Sequence, residues 1–293
     1  MEHKIYYWLS ASRPRTLVAS ISPVLLGCAM ALRDNVFRLL PASLCVLVAL
    51  LAQVASNFAN DYFDCKKGAD TEARLGPLRA VASGRIPARS MLCGALVALC
   101  LACLCGLVLL FVAGWELIFV GIGIAVCVLA YSAGPCPLAY NGLGDLCVLL
   151  FYGLIPTVFT YYVQALSFSP ELWFLSISTG LLSVNILVVN NYRDHDEDRR
   201  TGKRTTIVIF GRAFGRCIYI INVSVAILLA LPHIIASPLW LATLYAAYTL
   251  ICFTTWRQMC HTEGQSLNRT LGQTARNVLL FTILTILSLY FRQ

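Results

Sequence analysis

The chain has 293 residues, of which 59% are hydrophobic and only 12% charged, against roughly 25% charged in a typical soluble domain. Apolar runs long enough to cross a bilayer recur from end to end, which excludes an ordinary water-soluble enzyme and describes a polytopic membrane protein. The net charge of +8 invites a nucleic-acid partner, but where those charges fall requires none.

Nine apolar windows predict nine transmembrane helices, near residues 16–33, 40–60, 91–113, 115–133, 144–165, 171–192, 213–233, 236–255 and 275–291. Each must be a helix, because hydrocarbon offers backbone groups no partner outside the segment itself. The expected fold is an all-α bundle, a single transmembrane domain over residues 1–293. The run from Leu17 to Leu32 is followed by further spans, so it reads as the first span and not as a separable signal peptide. Most of the thirteen cysteines lie inside apolar runs, where a thiol packs as a small hydrophobe. Cys100-x-x-Cys103 has redox or metal spacing, but it is embedded in apolar sequence with no second pair nearby and reads as packing too. His3, His195, His233 and His261 are scattered and receive no role.

Orientation follows from the loops. With the N-terminus in the cytoplasm, 19 of the 22 basic residues fall on that side and only Arg33, Arg38 and Arg292 on the other. This asymmetry sets the topology and accounts for the net charge. Nine spans then put the C-terminus outside.

The second predicted span ends in an unusual run. Gln53, Asn57, Asp61 and Asp64 share one helical face, and Lys66, Lys67, Gly68 and Asp70 follow. Asn57-x3-Asp61-x2-Asp64-x3-Gly68 returns 133 residues later as Asn190-x3-Asp194-x3-Asp198-x3-Gly202, at the end of the sixth predicted span. This weak internal repeat pairs two acidic clusters that leave the membrane on the same, cytoplasmic side. Grouped carboxylates favour a hard cation such as Mg²⁺, which binds one or two carboxylates together with substrate phosphates. Asp61 and Asp64 facing Asp194 and Asp198 would supply such ligands around a diphosphate. Lys66, Lys67, Arg74, Arg193, Lys203 and Arg204 would hold the anion, and Asn57, Asn190 and Asn191 would orient ligands and substrate. Blander readings stand beside these. Lys66 and Lys67 also serve as positive-inside markers, Asp194 to Arg200 also reads as a solvated charged turn, and Asp145, after Gly142-Leu143-Gly144, reads equally as a catalytic group and as a helix N-terminal charge.

With both clusters in view, the chain resembles the UbiA superfamily of intramembrane aromatic prenyltransferases. The first cluster is similar to that family's N-x-x-x-D-x-x-D signature, and Asn190-Asn191-Tyr192-Arg193-Asp194 through Lys203-Arg204-Thr205 is similar to its second. Three further stretches resemble the branch that prenylates 1,4-dihydroxy-2-naphthoate in menaquinone synthesis: Ser12 to Leu17, Gly76 to Arg79, and Tyr131 to Asp145. One departure is the wider spacing of the second pair, which still keeps both carboxylates on one helical face.

The resemblance implies that Mg²⁺ on Asp61, Asp64, Asp194 and Asp198 binds the diphosphate of a polyprenyl donor whose tail lies among the helices. The allylic cation left by ionisation is attacked by the naphthoate ring, CO₂ is lost and demethylmenaquinol forms. It further implies an aromatic residue beside the allylic carbon, for which Tyr131 is the candidate. The implied location is the bacterial cytoplasmic (inner) membrane, with the bilayer as surroundings and neither nucleic acid nor a protein as partner. A transporter is the alternative from another class, but it would place ionisable residues at midspan, where this chain is almost uncharged. The same chemistry on 4-hydroxybenzoate or homogentisate is the nearer alternative.

Overall fold

The computed structural model describes residues 2–68, 75–76 and 79–291, and no strand forms among them. A short helix α1 (Glu2–Ala11) precedes α2 (Pro14–Arg33) and α3 (Leu39–Lys66). Then come α4 (Ala88–Ala113), α5 (Leu117–Ala130), α6 (Gly144–Leu149) and α7 (Ile155–Ala165). The last four are α8 (Pro170–Arg200), α9 (Thr206–Ile235), α10 (Leu239–His261) and α11 (Leu267–Tyr290).

Among the described residues, eight helical segments are long and apolar enough to cross a membrane, counting α6 and α7 together, so the chain is an integral membrane protein. The ninth predicted span, α5, has 14 residues, about 21 Å at 1.5 Å per residue and short of the roughly 30 Å hydrocarbon core. It nevertheless runs from one end of the bundle to the other. Leu117 at its start packs with Leu109, Leu110 and Val163, and Ser132 just beyond its end accepts a hydrogen bond from Lys67 at 2.8 Å. The turns that flank it make up the missing length.

Neighbours in sequence pack as pairs: α3 on α4, α8 on α9, and α10 on α11. Helix α11 returns to α2, and α2 lies on α7, which closes the bundle. The largest apolar core gathers buried residues of α8, α9, α10 and α11, among them Val188, Tyr219, Tyr245 and Phe281.

Two local features shape the interior. Pro156 cannot donate and crowds the carbonyl four residues before it, that of Tyr152. There the chain leaves helical geometry (φ −125°, ψ 15°) within a π-type turn, Leu150–Leu154. The released Tyr152 carbonyl accepts the Ser183 hydroxyl at 3.3 Å. At the same level α8 approaches so closely that a Cβ on Gly153 would lie 2.7 Å from the Ser176 carbonyl oxygen and nearer still to the Cα of Gly180. Small residues at the crossing allow this contact, as is common where lipid supplies no hydrophobic drive between helices.

Candidate active site

Both acidic clusters ride on helices that outlast their apolar windows. α3 runs on to Lys66 and α8 to Arg200, because backbone hydrogen bonding continues at the interface without apolar side chains. Each helix is followed by a glycine in the left-handed region, Gly68 (φ 70°) and Gly202 (φ 76°), so the repeat extends to how the helices stop. Asp194 to Arg200 is therefore helix, with Asp194 and Asp198 buried, and not a solvated turn.

In the first cluster Asp61 and Asp64 are 2% and 6% exposed. The Asp61 carboxylate accepts the backbone N–H groups of Ala80 at 3.2 Å and Val81 at 3.4 Å. Asp64 accepts the Tyr140 hydroxyl at 2.9 Å and lies 3.5 Å from an Arg79 guanidinium nitrogen. One turn earlier, the Asn57 amide donates to the Ser12 carbonyl at 2.8 Å and accepts from Gln53 at 3.2 Å. Gln53 in turn accepts the Tyr152 hydroxyl. Asn57 thus ties α3 to the turn in which Arg13 adopts a positive φ of 52°.

The second cluster is gripped by its own arginine. Arg193 donates from Nε to Asp194 Oδ1 and from Nη2 to Asp194 Oδ2, both at 2.7 Å, the bidentate geometry that suits a guanidinium to a carboxylate. Its remaining donors reach Asn190 at 2.9 Å and Asn268 at 2.7 Å. Asp198 lies 3.6 Å from the Lys203 ammonium.

Tyr140 joins the two clusters. Its hydroxyl serves Asp64, its ring has Lys67 at 4.4 Å and Lys203 at 5.5 Å from the centroid, and its carbonyl accepts the Arg204 N–H at 3.1 Å. Partial desolvation of the Lys67 ammonium, which donates to the Ser132 carbonyl at 2.8 Å, holds it below the usual lysine value, with Asp64 opposing this and Lys203 adding to it. Asn268 makes a second bridge: it accepts from Arg193 and donates to the Leu75 carbonyl at 3.0 Å, in the segment that follows the first cluster.

A cavity of about 780 Å³ opens between these helices. Asn57, Asp61, Asp64, Asn190, Asn191, Arg193 and Lys203 stand on its wall, as does Tyr131. Away from them the wall turns apolar, with Val48, Leu99, Leu109, Leu110, Val120 and Val128. Of the other residues singled out in the sequence, Asp194 and Asp198 lie behind the wall and Lys66 and Lys67 are exposed. Arg204 takes part through its backbone. Arg74 lies outside the described residues.

Sequence reasoning left Asp145 between a helix N-terminal charge and a catalytic group, and it overlooked Arg13 and Arg79 on the cavity wall and the two bridges, Tyr140 and Asn268. For Arg13, Arg79, Tyr140 and Asp145 a signal existed, since all four lie in the stretches that carry the finer resemblance. Asn268 had none, being a single amide in a polar stretch that turns out to open α11.

Among the described residues no group of three or more acidic, His or Cys side chains converges to hold an ion as it stands. The donors at this end of the cavity are nonetheless carboxylate and amide oxygens, the set a hard divalent cation takes. They are buried beside cations, in the company a bound phosphate would need. The residues fit a cation that arrives with an anionic ligand.

Comparison with known proteins gives this arrangement a setting. The model of the UbiA prenyltransferase family matches residues 20–289. The chain is 36% identical to the 1,4-dihydroxy-2-naphthoate octaprenyltransferase of Haemophilus influenzae, over 99% of this chain and 97% of that protein. It is 37% identical to the enzyme of the same name from Mycobacterium tuberculosis, over 82% of each chain. The fold is similar to that of a UbiA homolog from Archaeoglobus fulgidus bound to GPP and Mg²⁺, with a TM-score of 0.71 over 96% of this chain and 99% of that one at 17% identity.

Proposed function

The chain belongs to the UbiA prenyltransferase family, and from that premise we propose that it transfers a polyprenyl group from polyprenyl diphosphate to 1,4-dihydroxy-2-naphthoate. CO₂ is lost and demethylmenaquinol is the product. One observation carries the chemistry: a single cavity has buried carboxylates and cations at one end and an apolar wall along the rest, which matches an amphiphile with a charged head and a long tail. The choice of acceptor is supported by the end-to-end match to enzymes of that name.

In this reading Arg79, Arg193 and Lys203 hold the diphosphate and stabilise the charge that builds on it as the C–O bond breaks. Asp61 and Asp64 on the wall, with Asp194 and Asp198 just behind it, would hold Mg²⁺ brought with the diphosphate, and the ion would supply neutralisation of the leaving group. The Tyr131 ring stands by the allylic cation, a contact worth about 0.5–2 kcal/mol depending on desolvation. Asn57, Asn190 and Asn191 orient the ligands. The apolar wall keeps the tail out of water, at a saving of about 0.8 kcal/mol for each buried CH₂. The charged end faces the cytoplasm and the C-terminus lies outside, in keeping with the bias of Lys and Arg among the loops.

The test uses membranes containing the protein, Mg²⁺, a labelled polyprenyl diphosphate and carboxyl-labelled 1,4-dihydroxy-2-naphthoate. The expected result is one CO₂ released per prenylated naphthoquinol formed, stopped by EDTA. Prenylation of 4-hydroxybenzoate or homogentisate but not of the naphthoate would overturn the choice of acceptor.

A further inference from the structure

One carboxylate on the cavity wall has no part in holding the diphosphate. Asp145 opens α6 and lines the cavity. Its Oδ2 accepts the Thr206 hydroxyl at 2.6 Å, whereas its Oδ1 is sealed from solvent and accepts no hydrogen bond from a described residue. The acids of the two clusters differ from it: Asp61 is held by backbone amides, and Asp64, Asp194 and Asp198 stand beside cations. Asp145 is engaged by one neutral hydroxyl, and its second oxygen has no donor among the described residues. A buried carboxylate oxygen in that state is suited to a donor delivered by a ligand.

Its place in the cavity matters as much. A Cβ on the preceding residue, Gly144, would lie 3.5 Å from the Tyr131 hydroxyl, and Asp145 lines the same cavity as the ring assigned above to the allylic cation. The acceptor ring must lie against that cation to form the new bond, which brings the acceptor's hydroxyl to this part of the wall.

We propose that Asp145 is the base that takes the acceptor's ring-hydroxyl proton as the carbon–carbon bond forms. The inference rests on the aromatic prenyl transfer argued above. The hydroxyl O–H bond breaks to Asp145, its electron pair becomes the ring ketone, and the ring carbon bonds the allylic carbon. The ketone lies β to the carboxylate, so CO₂ leaves and its bonding pair passes back through the ring to oxygen. That oxygen recovers the proton from Asp145. No oxidant is needed and no proton is gained or lost.

The experiment compares wild type, Asp145→Asn, Asp145→Glu and Thr206→Val in naphthoate prenylation, with geranyl diphosphate binding as the check on folding. Asp145→Asn is expected to lose about 100-fold or more in kcat with geranyl diphosphate binding intact. Asp145→Glu should recover at least about tenfold of that loss, since it restores a carboxylate. Thr206→Val should stay within about tenfold of wild type, since it removes a single hydrogen bond. The assignment is overturned if Asp145→Asn keeps near-wild-type turnover, or if Thr206→Val falls as far as Asp145→Asn, which would make the pair a structural latch. If Asp145→Asn fails to bind geranyl diphosphate, the Glu variant decides: folded but no more active than about one-hundredth of wild type, it refutes the base. Should wild type prenylate a different phenol and not the naphthoate, the choice of acceptor fails on its own and the same comparison runs with that phenol.

Discussion

At the end of the bundle away from the acidic clusters, Arg33 meets Asp34 at 2.8 Å and also pairs with Glu171, with side chains 23–33% exposed. Tyr161 adds its hydroxyl to Asp34 at 2.7 Å. At the opposite end Arg193 grips Asp194 with side chains 2% and 7% exposed, and Arg79 stands by Asp64 at 9% and 8%. The first network staples the α2–α3 turn to the start of α8 in partly wetted surroundings, where an ion pair contributes about 1 kcal/mol or less. The second is buried, where desolvation takes back much of what pairing gives, so it is poor evidence of a purely structural role. It also borders the cavity. Charge buried against an open cavity is best explained by a charged ligand.

The sharpest way to break this contrast is Asp61→Ala or Asp194→Ala. Either should lower prenyl transfer by about 10³-fold, with expression in membranes unchanged; near-normal turnover in one variant removes that residue from the metal site. Arg193→Ala comes next. It leaves Asp194 buried without its bidentate partner and unlinks Asn268, so it should cost about 3–5 kcal/mol in unfolding free energy along with activity, read by thermal unfolding in detergent. Tyr140→Phe keeps the ring between Lys67 and Lys203 but deletes the donor to Asp64. A net hydrogen bond of about 1 kcal/mol predicts about a fivefold loss in kcat/KM for the prenyl diphosphate.

The smallest effect belongs to the far end. Asp34→Ala should lower stability by no more than about 1 kcal/mol and leave turnover unchanged. Against the cost of burial, hydrogen bonds from Arg33 and Tyr161 hold the Asp34 carboxyl below its usual value. Its contribution is therefore present above the ordinary carboxylate range and fades as pH falls through the lowered value. Unfolding profiles of wild type and Asp34→Ala should converge at low pH.

Much of the contrast was legible in the sequence because hydrocarbon leaves few options. The spans, the repeat and the common side of both acidic clusters follow from apolar length and loop charge. The helix ends were read less well. Apolar windows stop where charge begins, but α8 carries on to Arg200 as a helix. The short α5 reads as a full span because Trp115 before it and Tyr131 and Ala133 after it lengthen the apolar run. Lys66 reads in the sequence either as an anion ligand or as a positive-inside marker, and its side chain is exposed and off the cavity wall, as the marker reading expects. Tyr140 stood in a resembling stretch and Asn268 in none, but the bridging role of both escaped because a bridge between distant segments leaves no periodicity. The break at Tyr152 had a visible cause in Pro156, but its consequence, a hydroxyl turned onto Gln53, needs the packed helices.

The account depends most on the two clusters acting as one diphosphate site at one end of the cavity. The direct measurement is the Kd of geranyl diphosphate in Mg²⁺ for wild type, Asp61→Asn and Asp194→Asn. If the clusters share the ligand, each variant weakens binding by about tenfold or more, since each removes a charged contact worth about 1.5–3 kcal/mol. A wild-type Kd in either variant would mean that its cluster does not touch the diphosphate, and the single-site account would be wrong.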